Sequence, residues 1–217
     1  MPSFETLKTR QREERDKYPE NMGLRVHRAL SWLQRAEQAE DLDGRFIFLW
    51  VAFNAAYAQD FYDQETTAER FKVGGFLTKL VELDSDERLY GLIWQEFPSS
   101  IRILLSNHFV FGPFWEYQQG RKTEAEWTEA FEKANRAAKA AIGQGDTATA
   151  LGVVLARLYT LRNQLVHGGA TWNSGVNRDQ MRDATAFLEK LVPIVIELMM
   201  DNPVTLWGDP SYPVVQG

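Results

Sequence analysis

The sequence lacks cysteine altogether and has only three histidines among its 217 residues. The absence of cysteine excludes disulfide bonds, thiolate-bound zinc and a cysteine nucleophile. Walker loops and the GxGxxG, HExxH and GxSxG signatures are also missing. We therefore expect no metal and no cofactor, so that any catalysis would depend on acid–base groups of the chain itself.

The chain also lacks a long apolar run and an excess of basic residues. Its longest apolar stretch, 46–58, is interrupted by Asn54 and is shorter than the ~20 residues that cross a bilayer. The polar segment 1–20 does not resemble a signal peptide, so we expect a cytoplasmic protein without a membrane partner. The net charge of −6 argues against a broad basic surface for nucleic acid.

Helical periodicity dominates what is present. Apolar spacing and turn residues predict helices over 3–17, 22–39, 45–62, 68–82, 85–96, 98–107, 124–142, 148–167 and 177–200. No useful alternating strand pattern occurs. The sequence therefore predicts one all-α, bundle-like domain over 1–217. The segment 45–62 is apolar on nearly every side and should be central, whereas the charge-rich helix before Pro19 should be solvated.

Two further segments contain clustered aromatic or proline residues. The aromatic segment 109–117 contains Gly112-Pro113 and is predicted to be a loop whose rings enter the core. A stacking surface for bases is the alternative interpretation of these rings. The tail 202–217 combines prolines with large apolar side chains, which predicts packing on the core or on a partner.

The strongest candidate site is the end of the helix 148–167. On a helical projection Arg162 points into the apolar stripe, between the directions of Leu155 and Leu158. Asn163 and His167 lie four residues apart and share a face beside that stripe. A guanidinium, an amide and an imidazole thus gather at one helix terminus, which Gly168 and Gly169 should end.

Three other residues are candidates for binding a substrate. Tyr159 precedes Asn163 by four residues and continues the same edge of the helix. Arg157 belongs to a locally basic stretch, 155–182, whose four arginines are balanced only by Asp179 within it and Asp183 directly after it. Asn54 interrupts the apolar helix and is either a satisfied structural amide or a polar group that lines a site.

Arginine and histidine suffice for metal-free cleavage of an RNA phosphodiester. The imidazole can move the proton of the 2′-hydroxyl or of the leaving group, while the guanidinium stabilises charge on the phosphorus oxygens. Other interpretations remain. Arg162 could pair with a buried carboxylate in a purely structural role, and Arg102 with His108 forms a second, looser match.

The stretch Arg162-Asn163-x3-His167 resembles the R-x4-6-H motif of HEPN domains. The runs LRNQLVHGGATW, SWLQRAE and FLWVAFNAAYA resemble those of bacterial HEPN-like proteins over most of the chain, from about residue 24 to the tail. The resemblance implies an all-α HEPN bundle with extra peripheral helices. It also implies a metal-independent endoribonuclease, in many relatives a toxin or an antiviral defence protein.

What the resemblance implies for this chain is specific. Arg162 and His167 would be catalytic, and Asn163 would orient the phosphate or the histidine. Two copies would form a homodimer whose motifs face each other across a composite cleft that takes RNA, and an antitoxin protein is a further expected partner. Some HEPN domains have lost catalysis, so a module that only binds RNA, a nucleotide or a protein is the alternative.

Overall fold

The computed structural model describes residues 3–57, 66–175, 177–205 and 207, without the side chains of 66–73. All regular secondary structure in these residues is helical, which confirms the predicted all-α class. The α-helices are α1 (Phe4–Glu14), α2 (Glu20–Glu37), α3 (Leu42–Tyr57), α4 (Thr66–Leu83), α5 (Arg88–Gly91), α6 (Pro98–Ser106), α7 (Gly112–Gln118), α8 (Glu124–Gln144), α9 (Thr147–Val166) and α10 (Arg178–Asp201). Arg15–Lys17 and His108–Val110 form 3₁₀ turns, and Leu92–Glu96 is a π-helical turn.

Helices α2, α3 and α10 form the centre of the bundle. The buried side chains of α3, among them Phe46 and Phe53, come from several sides of the helix, as its apolar sequence predicts. The predicted continuation of this helix over 58–62 lies outside the described residues. Helix α10 buries most of its side chains although Pro193 lies within it. No helix in the described part of the chain combines the length and apolarity that crossing a bilayer requires.

The N-terminal helix differs from its predicted solvated state. Phe4 and Leu7 are buried in the common core, and Arg10 forms an ion pair of 2.8 Å with Asp201 of α10. The prediction of a solvated helix was wrong because its few apolar residues, three apart, form a narrow stripe that the charges around it obscured.

The aromatic segment 109–117 is also different from the prediction. It is helical rather than a loop, because Pro113 begins α7, where its missing N–H costs no hydrogen bond. Phe114 is buried, whereas Phe109 is 44% exposed. Of the predicted tail 202–217, residues 206 and 208–217 lie outside the described part. Trp207 is buried in the core, and its indole donates a hydrogen bond of 3.0 Å to the carbonyl of Asn202.

Candidate functional site

Helix α9 begins and ends where its sequence predicts. The carboxylate of Asp146 accepts a hydrogen bond of 3.0 Å from the backbone N–H of Thr149 and so caps the N-terminus. At the other end Gly168 adopts a φ of +70°, which only glycine reaches without strain. The N–H of Ala170 donates to the carbonyl of Gln164 at 2.9 Å. The backbone that follows the motif therefore ends the helix through its own conformation and hydrogen bond.

The guanidinium of Arg162 is held by an amide and not by an acid. Its Nη1 donates a hydrogen bond of 2.9 Å to Oδ1 of Asn163. The side chain is half-buried, and it forms no ion pair with any carboxylate of the described residues. The structural alternative, a buried pair of Arg162 with a carboxylate, finds no partner in these residues. A cation oriented by a neutral oxygen keeps its charge available for an anion.

His167 is exposed at the C-cap of α9. Its backbone N–H donates to the carbonyl of Asn163 at 3.0 Å, so the two residues stand one turn apart on the same face. Its imidazole forms no hydrogen bond with a described side chain and is open to solvent. Five residues of helix separate His167 from Arg162 by about 7.5 Å along the axis and by about 140° around it.

Tyr159 extends the line of Asn163 and His167 toward the middle of the bundle. Its ring packs on Trp50 of α3 with a centroid separation of 6.0 Å, and the side chain is 40% exposed. Asn54 lies one turn beyond Trp50 on α3 and is half-buried. Its Oδ1 is buried without a hydrogen-bond partner in the described residues. The described residues therefore supply no hydrogen-bond donor to this oxygen.

Arg157 lies apart from the other predicted site residues. It is only 3% exposed and packs against α8 and the segment before α7. Its guanidinium carbon lies 4.4 Å from the ring centre of Phe111 and 5.3 Å from that of Phe131. Nη2 donates to Oδ1 of Asn135 at 3.2 Å, and burial lowers the pKa of Arg157 to about 10. The structure does not bring Arg157 to the surface that His167 and Tyr159 share.

A network that the sequence reasoning missed anchors the loop after His167. Asp43, at the start of α3, accepts two hydrogen bonds from Arg178, at 2.7 and 3.3 Å, and one of 2.7 Å from the N–H of Asn173. The indole of Trp172 donates to Asp41 at 3.3 Å. The backbone N–H of Gly44 chiefly lowers the pKa of Asp41. Local sequence signals could not indicate these contacts, because Asp43 and Asn173 are 130 residues apart.

The aromatic segment is tied to the motif by one carbonyl. The Phe109 oxygen accepts hydrogen bonds of 2.7 Å from Gln164 Nε2 and from Trp115 Nε1. Gln164 directly follows Asn163, so α7 and the turn before it are anchored beside the motif. No local sequence signal indicates this contact, because its residues are 55 positions apart.

Large apolar side chains are exposed around the same end of α9. Phe109 and Tyr159 are 44% and 40% exposed, while Val166 and Trp172 reach 48% and 71%. Tyr159 and Val166 lie on α9, and Trp172 follows this helix closely in sequence. Phe109 is the residue whose carbonyl accepts a hydrogen bond from Gln164. Such a group of apolar side chains is typical of a surface that a partner covers.

The competing site finds less support in the geometry. Arg102 is exposed on α6, whereas the His108 ring lies 4.7 Å from that of Phe114 and 5.9 Å from that of Trp127. No hydrogen bond joins Arg102 to His108 in the described residues. Within the same residues, no cluster of three or more histidine, aspartate or glutamate side chains could hold a metal ion.

Comparison of this chain with models of protein families, with curated proteins and with solved structures finds no match in any of the three.

Proposed function

We propose that the protein is a metal-independent RNA endonuclease of HEPN type that acts as a homodimer. The observation that carries this proposal is that the end of α9 holds both a solvent-open imidazole and a guanidinium with no carboxylate partner among the described residues. A structural arginine would be expected to meet an acid. Among the described residues, Arg162 meets only the amide oxygen of Asn163, which directs the guanidinium and leaves its charge uncompensated.

In the proposed reaction, the imidazole of His167 takes the proton of a ribose 2′-hydroxyl as the 2′ oxygen forms a bond to the adjacent phosphorus. The bond from phosphorus to the 5′ oxygen breaks, and that oxygen takes a proton from a second imidazolium. The products are a 2′,3′-cyclic phosphate and a 5′-hydroxyl end. Arg162 stabilises the additional negative charge on the phosphorus oxygens in the transition state.

The need for two imidazoles supports a dimer. Within one chain, Arg162 and His167 point about 140° apart around α9, so one phosphate is approached more easily by side chains from two copies. The exposed side chains Phe109, Tyr159, Val166 and Trp172 offer apolar surface around the motif for a second copy. The composite cleft would contain both motifs, with Tyr159 beside the RNA. In this proposal the protein works in the cytoplasm as a toxin or defence component, and an antitoxin is its regulating partner.

The test uses the purified full chain and single-stranded RNA in EDTA. We expect cleavage to persist in the chelator and to be lost in His167→Ala and Arg162→Ala. The matched controls are His27→Ala and Arg136→Ala, which change exposed residues of the same types far along the sequence. Activity in His167→Ala equal to that of the control would refute the proposal.

A second measurement tests the chemistry of the cut. An RNA with a single 2′-deoxyribose on the 5′ side of the preferred cleavage site should resist cutting at that site alone, because it lacks the attacking oxygen. The product from unmodified RNA should carry a 2′,3′-cyclic phosphate. A 5′-phosphate product would contradict the proposed reaction, since it requires water to attack and the 3′ oxygen to leave.

A non-catalytic binding module is the second candidate. The exposed Trp172 and Val166 favour it, because a protein-binding surface needs exposed apolar side chains and no proton transfer. In that case no RNA would be cut, and Trp172→Ala would weaken association while leaving the unfolding temperature nearly unchanged. The cleavage assay in EDTA separates the two candidates directly.

A further inference from the structure

The most unusual group outside the proposed cleavage site is the buried guanidinium of Arg157. A buried arginine normally meets a carboxylate or another anion. Arg157 is 3% exposed and forms no ion pair with a described residue. Within the described part of the chain, only one of its five N–H groups, on Nη2, donates a hydrogen bond, to Asn135, and Nη1 is buried without an acceptor.

Among the described residues, Arg157 is surrounded by two rings and one amide oxygen, and no carboxylate lies within ion-pair distance of it. Phe111 and Phe131 contact the guanidinium. Phe131 also lies 6.2 Å from the ring of Trp127, whose indole Nε1 is likewise buried without a hydrogen-bond partner. Both unsatisfied groups of this cluster are therefore donors. A ligand that supplies oxygen acceptors and negative charge would compensate the deficit at Arg157, and Trp127, which also neighbours Phe131, would report its binding.

We propose that Arg157 is the cationic anchor of an oxyanion-binding site between α8, α9 and the aromatic segment 109–117, and that its ligand is a phosphate group. Phosphate fits better than a carboxylate because its tetrahedral oxygens accept hydrogen bonds from several directions, whereas those of a carboxylate lie in one plane. The guanidinium would bind two phosphate oxygens at once, the strongest geometry for this pair.

The aromatic segment is the element that must yield for a phosphate to enter. Phe111, which is half-buried, covers the guanidinium, and Phe109 is largely open to solvent. The Phe109 carbonyl is held by Gln164 beside the cleavage motif. Displacement of this segment would expose Arg157 and release Gln164 together. The site is thus adjacent to the motif but consists of different residues, and its existence does not depend on RNA cleavage.

The competing explanation is that Arg157 is only a structural link between α8 and α9, held by the two rings. Cation–π contacts of this kind do stabilise buried arginines. They do not satisfy Nη1 or the Trp127 indole, and a structural link predicts no response of either group to phosphate.

The test is a phosphate titration of the full-length protein followed by ¹H–¹⁵N spectroscopy. The Trp127 indole resonance is assigned by its loss in Trp127→Phe, and the Arg157 Nε resonance by its loss in Arg157→Met. We expect both to move saturably with inorganic phosphate and not with chloride at equal ionic strength. Thymidine 5′-monophosphate and a short DNA strand, which cannot be cleaved through a 2′ oxygen, form two further arms that identify the phosphate source.

Two variants make the outcome decisive. Arg157→Met conserves volume and should fold, yet it should bind phosphate about tenfold or more weakly and lose the movement of the Trp127 resonance. Arg162→Met should keep the response, although the proposed nuclease activity would vanish in it. Arg136→Met changes an arginine outside the proposed site and is the control for general effects of salt on the protein. The proposal is overturned if no probe moves the resonances saturably, if Arg157→Met responds like the native chain, or if Arg162→Met abolishes the response.

Discussion

Helix α9 carries two arginines five residues apart whose surroundings differ. Arg157 is enclosed by aromatic rings and α8, and it has no anion among the described residues. Arg162 is half-buried near the helix end and bonded to the amide oxygen of Asn163. On the helical projection the opposite is expected, because Arg162 points into the apolar stripe and Arg157 lies beside it.

The difference shows what each arginine can do in the folded protein. The charge of Arg162 is oriented and lies near solvent, which suits a group that meets a substrate phosphate during a reaction. The charge of Arg157 is desolvated, and its lowered pKa reports the cost of that burial. Arg178 provides the reference case, since Asp43 binds it through both carboxylate oxygens.

The largest expected effect is on catalysis and distinguishes the two arginines most sharply. Arg162→Ala and His167→Ala should lower the rate of RNA cleavage by about 10²- to 10⁴-fold, because each removes a group that acts in the transition state. Both should change the free energy of unfolding by less than about 1 kcal/mol, since neither side chain is fully buried. Cleavage rates measured in EDTA check the effect on catalysis, and urea denaturation checks the effect on stability.

For Arg157 the expected effect is on stability. Arg157→Ala should lower the free energy of unfolding by about 2–4 kcal/mol, because it leaves a cavity and removes contacts with two rings. Arg157→Met fills that space and removes a desolvated charge, so its cost should stay below about 1 kcal/mol. Denaturant midpoints of both variants, beside Arg136→Ala as an exposed control, provide the measurement. Equal stability of Arg157→Ala and native protein would contradict a structural contribution from this side chain.

A smaller effect is expected where an arginine has its carboxylate. Asp43→Asn should destabilise the protein by about 1–3 kcal/mol, because the amide removes the charge that binds Arg178 and one of the two acceptor atoms. The N–H of Asn173 should exchange with solvent faster in the variant, since its acceptor is the same carboxylate. Asp179→Asn, which changes an exposed aspartate in the first turn of α10, is the matched control.

The smallest effect concerns the start of α9 and depends on pH. The backbone N–H of Thr149 lowers the pKa of Asp146, so the carboxylate stabilises the fold above its unfolded pKa, and this contribution is lost as the pH falls through the lower, folded value. Asp146→Ala should cost about 0.5–1 kcal/mol at pH 7, a low figure because the side chain is exposed.

The comparison with Asp86→Ala isolates this cap, because Asp86 is exposed and caps no helix. The stability gap between Asp146→Ala and the native chain should narrow below about pH 4. Thermal unfolding at pH 7 and at pH 3 measures the gap at both ends. A gap that widened in acid would show that the cap does not act through its charge.

Most helix positions could be predicted from local signals. Gly168 ends α9, Asp146 caps it, and Pro98 begins α6, each because the residue itself restricts or satisfies the backbone. The two failures were misread local signals. The charges of α1 obscured the narrow apolar stripe that packs on the core, and the prediction placed Pro113, which begins α7, in a loop.

The candidate site could be predicted in part. Helix geometry alone places Arg162, Asn163 and His167 at one terminus. The hydrogen bond between Arg162 and Asn163 was not predicted, because adjacent residues of a helix point about 100° apart. The anchoring of the following loop by Asp43, and of the aromatic segment by Gln164, was not predicted either, because each joins residues far apart in sequence.

The sequence by itself determined an all-α chain with a guanidinium, an amide and an imidazole at the end of one helix. Periodicity and capping are properties of neighbouring residues, so they can be read locally. Only the tertiary structure decided which arginine is enclosed and which remains near solvent. A helix can be covered on several sides. The environment of Arg157 therefore depends on where α8 and the aromatic segment pack, and not on the position of Arg157 in the apolar repeat of α9.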